Sequence, residues 1–180
     1  MKKKIKQKNN LLKYRGKLII PLVLILFIFN SCSSYISVFN NIKPHEKKIF
    51  YYLLYRIKPK NMEYLFKLDK NRKIIRYRKI VQKVSNKLNM NVSEYKKMQI
   101  NRIRKANIRY GKYRKGMFTD RGRILIKYGE PLSISEKNLE QYGKVLVWQY
   151  SNQVEFKFSI HSTRENRLIN LSDEKSFIIK

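Results

Sequence analysis

The side chains that could carry out chemistry are few in this chain, and they lie far apart. The best catalytic candidate is Asp120, because Arg121 and Arg123 follow it and a carboxylate beside guanidinium groups could polarise a substrate. The same carboxylate would also stabilise the start of a helix and pair there with a nearby cation. His45 and His161 are distant in the sequence, so we favour the structural role for Asp120.

None of the short motifs that mark common catalytic sites occurs in the chain. There is no HExxH zinc motif, no glycine-rich phosphate loop, no GxSxG elbow and no CxxC pair. We therefore predict a non-catalytic protein with no cofactor and no metal site. Two alternatives stay open: a basic nucleic-acid-binding protein, and an enzyme of unknown reaction that uses Asp120.

The single cysteine, Cys32, stands at the end of a segment with the order of a secretory signal. Residues 2–17 contain eight basic side chains and no acid, and an apolar run follows over residues 18–29. Twelve apolar residues are too few to span a bilayer core of ~30 Å. A basic segment, a short apolar run and a small residue, here Ser31, before a cysteine are typical of an export signal.

This order predicts a lipoprotein signal peptide over residues 1–31, with cleavage after Ser31 and acylation of the Cys32 thiol, for example with palmitate. Several acyl chains on one cysteine would hold the protein firmly to a membrane. We therefore expect a location in the cell envelope, facing the periplasm or the cell surface. An uncleaved anchor with an incidental cysteine is the alternative.

The most distinctive segment is GMFTDRGRILIKYGEP, residues 116–131, in which turn-forming residues enclose a short apolar stretch. Thr119 can cap a helix, and Gly129 followed by Pro131 can end it. The segment therefore predicts a helix over residues 119–128. Its alternating apolar residues would also suit a strand, which is the alternative that we favour less.

This segment resembles the GWxTD domain, a family of bacterial envelope proteins named for a Gly-Trp-x-Thr-Asp motif, although Met117 stands in place of the tryptophan. The resemblance covers about residues 93–160, and it implies a domain type and an envelope location without implying a reaction. Upstream, it includes Glu94, Tyr95, Arg102, Ala106 and Asn107. The matching residues of the motif are Gly116, Thr119, Asp120, Arg121, Gly122, Arg123, Ile124, Ile126, Tyr128, Gly129 and Pro131.

The chain is strongly basic, with 42 Lys and Arg against 12 Asp and Glu and a formal net charge of +30. A polyanionic partner would explain this charge, because basic surfaces attract phosphates through counterion release. The explanation that we favour is compositional: Lys, Ile, Asn, Tyr and Phe, which have AT-rich codons, are abundant, whereas alanine occurs once. If the charge does bind a partner, we expect an anionic lipid surface, since an exported protein meets little nucleic acid.

Helices precede the motif and strands follow it. Residues 32–43 lack periodicity and predict a tether, residues 44–92 predict a helical region, and residues 93–180 form the GWxTD-like domain. Apolar spacing predicts three helical segments: from Pro44 to Pro59, from Met62 to Leu88 with a break near Lys70 and Asn71, and from Ser93 to about Tyr113.

Beyond Pro131 the pattern changes to that of strands. Residues 145–150 and 154–160 predict a hairpin whose buried face carries Trp148, Phe156 and Phe158. Residues 167–171 and 176–179 predict a third and a short fourth strand. The fold class is therefore α+β, with N-terminal helices followed by a small antiparallel meander packed on them.

The expected function is that of a membrane-anchored envelope lipoprotein whose GWxTD-like domain acts as a protein-interaction or scaffold module. Its partners would be the membrane, reached through Cys32, and an envelope protein.

Overall fold

The computed structural model describes most of the chain after the signal-like segment: residues 34–112, 114–151, 154–160 and 166–170. Apart from Ser34, all of these belong to one compact unit, Tyr35–Lys180. Among them, no helix is both long enough and apolar enough to cross a membrane. Four predicted features lie outside the described residues: the signal peptide 1–31, Cys32, His161 and the strand 176–179.

Six α-helices come first in the described part of the chain. They are α1 (Tyr35–Asn41), α2 (Lys47–Leu53), α3 (Pro59–Lys67), α4 (Lys70–Lys87), α5 (Val92–Tyr110) and α6 (Asp120–Tyr128). Short 3-10 turns precede α2 and α6, at Pro44–Glu46 and Gly116–Phe118.

Helix α1 corrects the prediction of a tether over residues 32–43. Val38 and Phe39 on this helix are buried, and the ring of Phe39 packs edge-on against that of Phe50 at 5.3 Å. Seven residues form only two helical turns, which is too short for the apolar period to be visible in the sequence. The domain therefore begins at α1.

Prolines and side-chain caps set the helix boundaries. Pro44 lies in a first turn, as predicted, where the missing N–H has no helical partner to lose. The prediction that Pro59 stops the first helical segment is wrong: α2 already ends at Leu53, and Pro59 lies in the first turn of α3. Asp69 accepts hydrogen bonds from two backbone N–H groups at the start of α4, at 3.1 and 3.0 Å, so the predicted helix break lies just before α4. Asn91 and Glu94 form a capping box, and α5 starts one residue earlier than predicted.

Three antiparallel strands follow in the order β1-β2-β3: β1 (Ser133–Leu139), β2 (Gly143–Ser151) and β3 (Val154–Ser159). The predicted hairpin is confirmed as β2 and β3, with Trp148 opposite Phe156 and Leu146 opposite Phe158. The three rings of Trp148, Phe156 and Phe158 are buried.

The third strand of the sheet is β1, which the sequence did not predict, whereas residues 167–171 were expected in its place. The described part of that segment makes a single bridge, between Leu168 and Phe158. It lies beside β3, where the Asn170 side chain accepts a hydrogen bond from the Lys157 N–H at 2.7 Å and donates one to the Glu155 carbonyl at 2.7 Å. It therefore covers the outer edge of β3 without forming a full strand.

Aromatic contacts join the helices to one face of the sheet. Tyr110 on α5 lies 5.8 Å from Trp148, and Tyr128 on α6 stacks on Phe156 at 5.2 Å, both measured between ring centroids. Large rings supply most of the apolar area that a small sheet can bury. The predicted α+β fold, with helices followed by an antiparallel meander, is confirmed.

Candidate functional site

The motif segment folds as a 3-10 turn, a capping residue and a helix, so the helical prediction is confirmed and the strand alternative is wrong. The Thr119 hydroxyl oxygen accepts a hydrogen bond from the Gly122 N–H at 3.0 Å and donates one to the Gly116 carbonyl at 2.7 Å. Thr119 is only 3% exposed. One buried hydroxyl therefore caps α6 and also fastens the preceding turn to it.

Two glycines of the motif allow the backbones of α5, the 116–118 turn and α6 to come into contact. A Cβ on Gly116 would lie 2.0 Å from the carbonyl oxygen of Ala106 on α5, and a Cβ on Gly122 would lie 1.8 Å from the carbonyl oxygen of Gly116. Ala106, the only alanine of the chain, is fully buried. We call the set Ala106, Gly116, Thr119 and Gly122 the motif joint. A side chain at Gly116 would push the turn off α5, and a side chain at Gly122 would push the turn off α6.

Met117, which replaces the tryptophan of the motif, is part of the core. Its side chain is buried, its N–H donates to the Asn107 side-chain oxygen at 2.9 Å, and its carbonyl accepts from the Tyr55 hydroxyl at 2.7 Å. Burial raises the pKa of Tyr55 well above its usual value, so this hydroxyl stays protonated and donates. Tyr55 has a φ of 61°, a conformation that the surrounding contacts must hold.

Both carboxylate oxygens of Asp120 are engaged in structural contacts. One accepts from Arg123 at 2.8 Å, and the other accepts from the backbone N–H of Leu168 at 3.0 Å. Arg121 places its guanidinium 4.6 Å from the ring centroid of Tyr110. Asp120 thus ties the start of α6 to the C-terminal segment, and the predicted ion pair with a nearby cation is present.

The end of α6 turns the chain into the sheet. Gly129 has a φ of 92°, and its N–H donates to the Leu125 carbonyl at 2.9 Å. Its own carbonyl accepts from the Tyr150 hydroxyl on β2 at 2.7 Å. After Pro131, the Leu132 N–H donates to the carbonyl of residue 149 at 2.7 Å and starts the pairing of β1 with β2. The second half of the motif therefore sets where β1 runs.

Two arginines from outside the motif bind the C-terminal carbonyl groups of α6. Arg102 donates to the carbonyls of Ile126 and Lys127 at 3.2 and 3.3 Å, and Arg56 donates to the same two carbonyls at 3.2 and 3.3 Å. The negative end of the helix dipole favours cations here. Burial lowers the pKa of both guanidinium groups, but the ordinary pKa of arginine is so high that its side chain stays charged in proteins.

No role was predicted for Arg56, and Arg102 entered only through the family resemblance. The sequence does indicate that Arg102 points inward, because it lies at helical spacing from Gln99 and Ala106 on the inward face of α5. Gln99 accepts from Arg56 at 3.1 Å and donates to the Leu54 carbonyl at 3.0 Å. Arg56 itself lies in the turn after α2, which sequence periodicity cannot place.

The described residues do not assemble a catalytic constellation around the motif. Among them, no group of three His, Cys, Asp or Glu side chains lies close enough together to hold a metal ion. His45 lies in the 3-10 turn before α2, and Asp120 is already paired. What the motif does in this structure is hold α5, α6 and β1 in one fixed arrangement.

Comparison with known proteins adds one finding. A family model of the GWxTD domain matches residues 35–175 of the chain. No curated protein and no solved structure gave a match. The matched segment begins at α1, so the domain boundary predicted at residue 93 lies inside it.

Proposed function

This chain belongs to the GWxTD domain family, and on that premise we propose that it is a lipid-anchored envelope protein whose domain binds a protein partner as a non-catalytic scaffold module. The order of basic segment, apolar run and Ser31-Cys32 supports anchoring at Cys32 in the cell envelope.

The open edge of the sheet is the observation that carries the proposed protein interaction. Strand β1 has one neighbour, β2, among the described strands, whereas the opposite edge at β3 is covered by the segment around Leu168. Residues 133–138 are all exposed, including Ile134 at 56%. An extended peptide can add to such an edge through backbone hydrogen bonds, with side-chain contacts providing selectivity.

The motif joint explains why this edge would be a constant feature of the domain. Backbone contacts and buried hydrogen bonds fix α6 against α5, and Gly129 with Tyr150 then fixes the direction in which β1 leaves the helix. A partner strand meets a preformed edge and does not have to order it, which lowers the entropic cost of binding.

Acyl labelling tests the anchor. Cells that express the wild-type chain or the Cys32→Ser variant are grown with a clickable palmitate analogue, and the protein is isolated and probed for label. We expect label on the wild type and none on the variant. Equal labelling of the two would show that Cys32 is not the acylated residue.

Site-specific photo-crosslinking tests the β1 edge. A photoreactive amino acid replaces Ile134, and the control places it at Ile75 on α4, whose exposure of 55% nearly equals the 56% of Ile134. We expect a discrete crosslinked product from residue 134 in membranes and none of that size from residue 75. The same product from both positions, or from neither, would contradict the proposal.

A further inference from the structure

A cleft between the first helices of the domain has the composition of an anion site. It lies where the 3-10 turn before α2 meets the start of α4, and its volume is about 430 Å³. This is within the range of ~300–1,000 Å³ that ligand pockets occupy. The lining residues are Lys43, His45, Glu46, Ile49, Leu68, Lys70, Lys73 and Ile74.

Glu46 is the only carboxylate among the described residues that line the cleft, and it is already neutralised. Glu46 accepts from the Lys73 ammonium at 2.5 Å and from the backbone N–H of Lys43 at 3.3 Å. This pair is largely buried, with side-chain exposures of 14% for Lys73 and 11% for Glu46. Glu46 therefore offers no free negative charge to a ligand, and it holds Lys73 against the wall of the cleft.

Two further ammonium groups remain available at the rim. Among the described residues, neither the Lys43 nor the Lys70 side chain forms an ion pair with a carboxylate. His45 lies beside them and adds hydrogen-bonding capacity. The cleft consequently has an excess of positive charge that carboxylates in the described part of the chain do not balance.

The interior of the cleft is apolar, unlike its rim. Ile49, Leu68 and Ile74 are partly buried and form its hydrocarbon surface. A free inorganic anion would bind the lysines but leave the apolar surface exposed to water. A molecule with an anionic group and an attached hydrocarbon part would bind the lysines and also cover the apolar surface. Burying that surface is favourable, because apolar area contributes about 25 cal/mol per Å².

We propose that this cleft binds the phosphate group of an anionic lipid, with the glycerol and first acyl carbons against Ile49, Leu68 and Ile74. The choice of a lipid as the source rests on the proposed function, since a chain anchored at Cys32, only eleven residues before Lys43, stays close to lipid headgroups. Lys43 and Lys70 contact the phosphate, and the Glu46–Lys73 pair forms the fixed wall.

Calorimetric titration of the full-length protein in non-ionic detergent tests the proposal. The probes are dihexanoyl phosphatidylglycerol, dihexanoyl phosphatidylcholine, which has the same phosphodiester and chains but no net charge, and inorganic phosphate. The test variant is Lys43→Gln/Lys70→Gln. The control variant, Lys83→Gln/Lys87→Gln, removes the same charge from exposed positions of α4 about 20 Å or more along the helix from Lys70.

We expect phosphatidylglycerol to bind the wild type and the control variant alike, and to bind the test variant about ten- to thirtyfold more weakly. Ile74→Gln should also weaken binding, and the fluorescence of Trp148 should confirm that every variant is folded. Binding that the control pair weakens equally, equal binding of phosphatidylcholine, or no binding would overturn the proposal. Inorganic phosphate that binds as tightly as the lipid would assign the cleft to a free anion instead.

This measurement requires neither acylation nor a protein partner. Failure of the lipid titration therefore leaves the anchor and the β1 edge standing, and failure of the labelling or crosslinking leaves the affinity of the cleft unchanged.

Discussion

Replacing Gly122 with alanine is the sharpest test of the motif joint, because the structure and helix propensity predict opposite signs. At an ordinary helix position, alanine stabilises by about 1 kcal/mol relative to glycine. Here the added methyl would lie 1.8 Å from the Gly116 carbonyl oxygen and 2.8 Å from its carbon, both backbone atoms that cannot rotate away. The turn at residues 116–118 would have to move off α6.

The size of the effect follows from what that movement breaks. Overpacking of this kind costs about 1–3 kcal/mol. Moving the turn also weakens the two hydrogen bonds of the Thr119 hydroxyl, and loss of such a cap costs about 1 kcal/mol. After the gain of about 1 kcal/mol from helix propensity, we expect a net loss of about 2 kcal/mol, equivalent to a melting temperature roughly 4–8 °C lower.

Urea unfolding followed by tryptophan fluorescence measures this loss, because Trp148 is the only tryptophan and is 1% exposed. A double-mutant cycle identifies the cause. Thr119→Ala already removes the cap, so Gly122→Ala should cost about 1 kcal/mol less in that background. The control is Gly143→Ala, which has a φ of 63° and no atom within 4 Å of the added methyl, and should be additive with Thr119→Ala. Stabilisation by Gly122→Ala, or additivity with Thr119→Ala, would refute the joint.

Three further predictions address the core, the Asp120 contact and pH. Phe158→Ala should destabilise the domain by about 3–5 kcal/mol in urea unfolding, whereas Lys157→Ala, on the other face of β3, should change stability by less than about 1 kcal/mol. Asp120→Ala should accelerate hydrogen exchange of the Leu168 amide by releasing its acceptor. Burial by itself would raise the pKa of Glu46, but the hydrogen bonds from lysine and the backbone, with nearby positive charge, hold that pKa below its usual value of 4.5. Because the pKa of Glu46 is lower in the folded protein, its ionised carboxylate stabilises the fold above about pH 4.5, and this stabilisation is lost as the pH falls through the folded-state pKa. Glu46→Gln should therefore destabilise the domain by about 1–3 kcal/mol at pH 7 and progressively less below pH 4.5.

Each of these predictions has a contrary result. Equal effects of the two β3 substitutions would mean that the register of the hairpin is wrong. An unchanged exchange rate at Leu168, while amides elsewhere keep their protection, would show that Asp120 does not hold the C-terminal segment. A Glu46→Gln effect that stays constant down to pH 3 would show that the Glu46–Lys73 pair does not contribute through its charge.

Features that depend on local chemistry could be predicted from the sequence. The helix over the motif follows from a cap at Thr119 and a stop at Gly129, and the break before α4 follows from a capping residue, since these effects act within one turn of backbone. The hairpin was equally visible, because strict alternation around Phe156 and Phe158 matches the period of a strand with one buried face. The envelope location stays a prediction, and it rests on the linear order of residues that ends at Cys32.

Other features were decided only by contacts between distant segments. Strand β1 is polar and exposed throughout residues 133–138, so it forms because Gly129 and Tyr150 place it beside β2, and not because its composition favours a strand. Helix α1 is stabilised by the packing of Phe39 against Phe50 on α2.

The motif also combines features that the local sequence predicts with features that depend on distant contacts. Its residue types predicted a capped helix, but they did not show why the motif needs its glycines. Gly116 is required because the Ala106 carbonyl, ten residues earlier on α5, approaches it, and Gly122 is required because the Gly116 carbonyl approaches it. The positions of Arg56 and Arg102 at the end of α6 were equally hidden, because a buried guanidinium requires carbonyl acceptors that only the folded chain brings together. Local propensity specifies elements one turn at a time, whereas backbone contact and burial of charge depend on which elements meet.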